Sequence, residues 1–177
     1  MIKPSLIRPF VEYFTEDPAF IQAPKPPAAP AADADEAARA AHDEAQTAFE
    51  TAAAEYATKL TTAWQTGNWS ALRVDGAGEP TGFQVRLLGS ELVGKLIDLQ
   101  RAGVGENELL ALAFRAALTG VTNLGNAQVS FTEDPRLGRI ATLSFFEDAN
   151  ITGTLGVRIC REIGGRVLRR ASDLSPT

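Results

Sequence analysis

The run Pro24-Lys25-Pro26-Pro27-Ala28-Ala29-Pro30 passes directly into an alanine-dominated, acidic segment that reaches Trp64, and this junction restricts the fold more than any other feature of the chain. Proline fixes φ and removes a hydrogen-bond donor, so the run favours extended, solvated backbone that buries little and does not offset the entropy of its own ordering. Whatever orders it must come from elsewhere. The segment behind it reads in the opposite sense, as one long helix over residues 33–66. Alanine has the highest helix propensity, Asp33, Asp35 and Glu36 suit the positive end of the helix dipole, and Gly67-Asn68 stops the run.

Along that helix Phe49, Ala53, Tyr56, Leu60 and Ala63-Trp64 recur at roughly heptad spacing. They make one narrow apolar stripe, too thin to hold an isolated helix, so the stripe is expected to pack on the following domain or on another chain. Charge is divided unevenly along the sequence. Asp33, Asp35, Glu36, Asp43, Glu44, Glu50 and Glu55 face a single Arg39, whereas Arg158, Arg161, Arg166, Arg169 and Arg170 near the C-terminus face Glu162 and Asp173. The split is compatible with two solvated helix faces, or with intramolecular or head-to-tail contact between copies, the acidic flank meeting arginines such as Arg166, Arg169 and Arg170.

Residues 1–32 are read as an extended arm and Pro/Ala-rich linker. Phe10, Tyr13 and Phe14 stand at i, i+3, i+4, followed by a turn at Glu16-Asp17-Pro18 and then by Phe20 and Ile21. So much aromatic surface in a short segment has two readings. It folds back on the chain's own core as a strand or helical turn, or it anchors in a neighbouring subunit, where aromatics give the largest burial per residue.

Residues 80–177 are expected to form a compact α+β domain after a turn at Asp75-Gly76-Ala77-Gly78-Glu79-Pro80. Phe83, Val85 and Leu87 alternate with Gln84 and Arg86 as a half-buried strand. Ser90 is placed to cap a helix from Glu91 to Arg101. Glu106 to Leu118 reads as a second helix ending at Gly120. Ala127–Phe131 and Arg139–Phe146 read as a hairpin around Glu133-Asp134-Pro135-Arg136-Leu137-Gly138. Gly153 to Ala171 closes the chain as a helix in which Gly164-Gly165 either weakens the run by about 1 kcal/mol per glycine or permits close backbone contact. The expected core is Phe83, Val85, Leu87, Leu92, Leu96, Leu109, Leu112, Phe114, Val129, Phe131, Ile140, Leu143, Ile159 and Ile163.

Signatures for chemistry are sparse. The single His42 sits among Ala40, Ala41 and Asp43 and reads as a surface histidine; there is no second histidine, no cysteine pair, and no HExxH, CxxC, GxSxG or Walker-type pattern. No metal or cofactor is called for. Cys160, between Ile159 and Ile163, reads as a small buried hydrophobe. The carboxylate pairs Glu16-Asp17, Glu133-Asp134 and Glu147-Asp148 have the spacing of turn chemistry, two of them preceding proline, with an acid/base couple as the alternative. Tyr13-Phe14-Thr15-Glu16-Asp17-Pro18 echoes Ser130-Phe131-Thr132-Glu133-Asp134-Pro135, each passing from aromatic residues into an Asp-Pro turn. A net charge of −5 argues against a general or sequence-specific nucleic-acid binder. No apolar run approaches the roughly 18 residues of a membrane span, and Met1-Ile2-Lys3-Pro4-Ser5 lacks the apolar centre of a signal peptide, so a reducing cytoplasm, or a particle assembled there, is the expected setting.

The stretch from Phe83-Gln-Val-Arg-Leu-Leu-Gly-Ser-Glu-Leu to Leu99, the apolar helix after it, and Val167-Leu-Arg-Arg-Ala-Ser-Asp-Leu-Ser175 together resemble small morphogenesis proteins of tailed bacteriophages, tail assembly chaperones in particular. The resemblance covers about half the chain. It implies a non-enzymatic protein that binds other phage components, although the hairpin and the aromatic arm depart from the mostly helical pattern of those chaperones. The resulting expectation is an α+β structural or assembly subunit of a virion, found there or in the host cytoplasm during assembly. It would bind protein partners through Phe10, Tyr13, Phe14, Phe20, Phe49, Tyr56, Leu60 and Trp64. The competing expectations are a tail assembly chaperone, a cytoplasmic adaptor or regulatory domain, and a small enzyme using acidic side chains.

Overall fold

The computed structural model describes residues 10–173, so the first part of the expected arm and the end of the Val167–Ser175 stretch lie outside the described residues. The fold is α+β, and the chain divides into two compact units, Met1–Asp17 with Glu79–Thr177, and Pro18–Gly78.

The first unit begins with β1 (Phe10–Tyr13), which joins β2 (Gly82–Val85) and β3 (Leu118–Thr122) in an antiparallel sheet of order β1-β2-β3. Phe10 stands opposite Val85 and Tyr13 opposite Gly82, while Phe83 stands opposite Val121. The expected arm is therefore an edge strand of its own domain: the free edge of β2 satisfies its backbone groups, as an exposed sheet edge requires. The helices α2 (Ser90–Arg101) and α3 (Glu106–Ala117) follow, then the hairpin β4 (Phe131–Asp134) and β5 (Gly138–Ala141), the short α4 (Ser144–Asp148) and the long α5 (Gly153–Asp173).

Several boundaries differ from the sequence reading, each for a local reason. Gly89 rather than Ser90 is the cap residue of α2, and no side chain bonds there. Helix α3 gives way at Leu118 to β3 instead of running to Gly120, because residues Leu118–Thr122 are drawn into pairing with β2. The hairpin is shorter than expected and drawn in around its turn: the Asp134 carboxylate accepts the N–H groups of Arg136 and Leu137 at 2.8 and 3.1 Å, and Gly138 closes the turn at φ 79°. Phe145 and Phe146, read as strand, instead enter α4 and are buried.

The core lies against α3 and α5. Phe114 is fully buried between Phe83, edge-on at 5.7 Å, and Phe146, stacked at 6.4 Å. Of the expected core, Phe83, Val85, Leu96, Leu109, Leu112, Phe114, Ile140, Ile159 and Ile163 are buried, and Leu92, Val129 and Leu143 pack against them half-buried. Leu87 is only half-buried, with Leu88 taking the inward place. Phe131 is the exception, 39% exposed on the outer face of the hairpin while Ile140 on the other face points inward. The glycine pair of α5 does not interrupt the helix. A Cβ at Gly164 would collide with the Leu110 carbonyl, so the missing side chain is what lets α5 lie backbone to backbone on α3.

In the second unit, α1 (Glu36–Thr66) is built from local signals. The Asp35 carboxylate accepts the Ala38 N–H at 2.8 Å, and Gly67, at φ 71°, donates to the Ala63 carbonyl. Thr47, Thr51, Thr58, Thr62 and Thr66 each donate to the carbonyl four residues back. The segment before the helix is held by its own unit. Phe20 forms an antiparallel bridge with Arg73, with Ile21 N–H on Leu72 O at 2.8 Å and Val74 N–H on Ala19 O at 3.0 Å. Phe20 packs on Trp69 at 5.6 Å, and Leu72, in the 3₁₀ turn Ser70–Leu72, is buried beside them.

Candidate functional site

Partial burial in the proline run returns at Pro24 and Pro27. That is the three-residue period of polyproline II, which sets every third side chain on one face. Pro24 lines a shallow hollow together with Ile21, Leu72, Ala52 and Tyr56, so the proline run starts out against the helix it precedes. On α1 the half-buried positions are His42, Gln46, Phe49, Ala53, Tyr56, Leu60 and Trp64, with Ala63 fully buried, which is the expected narrow stripe continued by one heptad toward the start of the helix, where His42 lies on it and not on the open surface. Part of its covering comes from the preceding segment of the same unit, a third possibility beside the following domain and another chain. The rest of the helix is open. Glu36, Asp43, Glu44, Glu50 and Glu55 are exposed, and His42, half-buried, lies 3.5 Å from the Asp43 carboxylate.

The aromatic residues of the expected arm are placed differently from an intermolecular anchor. Phe14 is buried in the core of the first unit and Phe20 in the second, while Phe10 and Tyr13 are half-buried in β1, with the Arg170 guanidinium 4.6 Å from the Phe10 ring centre. The segment thus follows the folded-back reading and not the anchor in a neighbour: Phe14 and Phe20 are taken up by their own units, and Phe10 and Tyr13 are covered in part within β1. What the sequence did not reveal is the force that draws β1 inward. Glu12 is completely buried and receives Arg166 at 3.1 Å and Arg170 at 2.8 Å; Arg166 also donates to the Tyr13 carbonyl at 2.6 Å and pairs with Glu162. Glu162 in turn accepts the Thr15 N–H and hydroxyl, both at 3.0 Å. Arg158 pairs with Glu16 next to this network. Burial pushes the Glu162 carboxyl up from its ordinary value, with Arg166 and Thr15 opposing, and burial likewise lowers Arg166 against the pull of Glu162 and Glu12. A buried, hydrogen-bonded ion cluster of this kind fixes register. It also engages Arg166 and Arg170, two of the three arginines expected to meet the acidic flank of α1.

Two of the three carboxylate pairs do turn work. Asp17 accepts the Thr81 N–H at 2.9 Å, Asp134 organises the hairpin turn, and Glu147-Asp148 ends α4 exposed, not a strand. Burial works to raise Asp134, but the hydrogen bonds from Arg136 and Leu137 outweigh it and hold the carboxyl below its usual range. Cys160 is buried, and burial pushes its thiol up to about 12 against the nearby charge of Arg115, which removes thiolate chemistry at neutral pH.

The chain matches no family model, no curated protein and no solved structure. Among the described residues no helix is long and apolar enough to cross a membrane, and no cluster of His, Cys, Asp or Glu has metal-binding geometry.

Two hollows in the first unit escaped sequence reasoning. One, of about 480 Å³, is mainly apolar and is bounded by Ala111, Leu143, Phe146, Ile151, Val157 and Cys160. The other, of about 240 Å³, is lined by Arg86, Arg115 and Arg139 with Leu118, Thr119 and Phe131. Arg115 Nε donates to the Ala141 carbonyl at 2.8 Å, and Arg86 reaches the Ala116 carbonyl through Nε and one terminal nitrogen, both at 3.3 Å. The Arg139 guanidinium lies 4.5 Å from the Phe131 ring centre. Arg86, exposed directly after β2, and Arg139 near Phe131 were the signals available. Their convergence with Arg115 depends on packing between distant elements, which no local pattern encodes.

Proposed function

We propose that the chain is a non-enzymatic structural or assembly subunit of a larger particle, with the tailed-phage virion as the setting to which the sequence resemblance points. The observation that carries this reading is α1. It is a 31-residue helix with sound caps at both ends, covered along one stripe and displaying an open acidic surface elsewhere. A helix of this composition has little reason to be so long unless its surface is used, since helices gain most of their stability from what covers them. Protein partners would engage the exposed flank marked by Asp43, Glu44 and Glu50 and the rim of the stripe at Phe49, Tyr56, Leu60 and Trp64.

Copy number separates this from the rival roles. Quantitative mass spectrometry of particles purified from the source should find the chain in many copies at fixed stoichiometry, and crosslinks to neighbours should concentrate on residues 43–64. Absence from the particle, with no partner crosslinked to α1, would overturn the proposal.

A further inference from the structure

The hollow lined by Arg86, Arg115 and Arg139 is a second feature, independent of the assembly reading. Three guanidiniums stand around one small concavity in a chain whose net charge is −5. Among the described residues none of the three forms an ion pair. Glu133, which stands opposite Arg139 in the hairpin register, makes none with it. The contrast within the same unit is sharp, because Arg158, Arg166 and Arg170 are each matched by a carboxylate. Two of the three unmatched arginines donate to backbone carbonyls and the third lies over an aromatic ring, which restrains the side chains toward the hollow and lowers the entropy lost on binding.

We propose that this hollow binds the phosphate group of a small phosphorylated molecule. The charges decide between anions. A carboxylate brings one negative charge, whereas a phosphate monoester brings about −1.5 to −2 together with three acceptor oxygens in one compact group. A group of that kind matches several planar forks converging on about 240 Å³. Phe131, exposed at the rim, supplies an apolar surface beside the phosphate for the organic part of the ligand. Polynucleotides are disfavoured, because the acidic balance of the chain opposes a long polyanion that must lie beyond the hollow.

The test is isothermal titration of the full chain at about 0.15 M salt, the ionic strength at which exposed charges are well screened, with inorganic pyrophosphate, with adenosine diphosphate and with a single-stranded oligonucleotide. Pyrophosphate and the diphosphate should bind with one-site stoichiometry. The double variant Arg86→Gln with Arg139→Gln should weaken both at least tenfold, while the charge-matched Arg101→Gln with Arg161→Gln should leave them unchanged. Arg139→Lys, which keeps the charge and loses the fork, should weaken binding severalfold, and it serves if the double variant does not fold. Equal weakening by both double variants, no binding of either small anion at millimolar concentration, or tighter binding of the oligonucleotide than of the diphosphate would each overturn the assignment. So would a change in sedimentation of the Arg86/Arg139 variant without a change in anion binding, which would give the arginines to a protein partner.

Discussion

The two units of this chain are specified by opposite means. Every residue of the main buried cluster, from Phe14 to Ala171, lies in the first unit, where elements distant in sequence complete one another: Glu12 meets Arg166 across 154 positions. In the second unit α1 is written locally, with Asp35 and Gly67 at its ends, threonines bonding four residues back and alanines between, and its burial is confined to one stripe and the Phe20–Trp69–Leu72 group. The difference teaches that local signals suffice to form an element and that long-range contacts decide whether the element is self-sufficient. The first unit buries one contiguous core, whereas the second presents a helix covered along a single stripe and open on the rest of its surface.

The largest way to break this comparison is through the core. Phe114→Ala should destabilise the first unit by about 3–5 kcal/mol, since the ring is fully buried between Phe83 and Phe146 and leaves a cavity that its neighbours fill incompletely. Thermal unfolding followed by near-ultraviolet circular dichroism reads this. An unchanged midpoint would mean that the unit does not depend on its long-range packing.

A smaller effect is expected in the second unit. Tyr56→Ala with Trp64→Ala removes half-buried rings from the stripe and should cost the helix about 1–3 kcal/mol, on the order of 25 cal/mol for each Å² of apolar surface lost. Amide exchange over residues 45–65 should accelerate while exchange in α3 and α5 stays as before. Unchanged protection in α1 would show that the stripe contributes nothing, and the helix would stand as a solvated spacer.

The smallest prediction concerns pH. Because burial raises the Glu162 carboxyl, the folded chain holds that proton more tightly than the unfolded chain does. This contribution is fully present below the ordinary glutamate value of about 4.3 and is lost as pH rises through the raised folded value. Melting temperatures of the wild type and Glu162→Gln, measured from pH 4 to 7, should therefore differ in slope, the wild type losing ground as pH rises. Parallel curves would contradict the burial of an ionisable group at this position.

What was legible in the sequence follows the same division. The α+β class, the long helix, its stop at Gly67 and its stripe could be read because propensity, termination and heptad spacing are local, although the helix begins at Glu36 behind the Asp35 cap and not at residue 33. Helices α2, α3 and α5 were found within a few residues at each end for the same reason. That the aromatic segment folds back on its own core as a strand was one of its two readings, but its pairing with β2 could not be read, because Phe10, Tyr13 and Phe14 at i, i+3, i+4 carry no mark of a partner strand some seventy residues away. Nor could β3, whose Leu118–Thr122 continues the apolar run of α3 and becomes a strand only by pairing with β2. Burial of Glu12 was invisible because an acidic residue in a strand reads as solvent-facing until Arg166 and Arg170 are brought to it. The arginine hollow was missed for a related reason, its arginines coming from the residue after β2, from α3 and from β5, whose mutual approach is tertiary.

Residue-resolved hydrogen exchange on the isolated, full-length chain tests the contrast between the units most directly, since it reports the opening free energy of each element separately. The slowest amides should belong to α3 and α5, around Phe114 and Ile163, and those of α1 between Gln46 and Leu60 should exchange at least a hundredfold faster, gaining protection only when a partner covers the helix. Protection in α1 equal to that of α3 and α5 in the isolated chain would show that the helix is already fully supported, and the case for an open surface awaiting a partner would be lost.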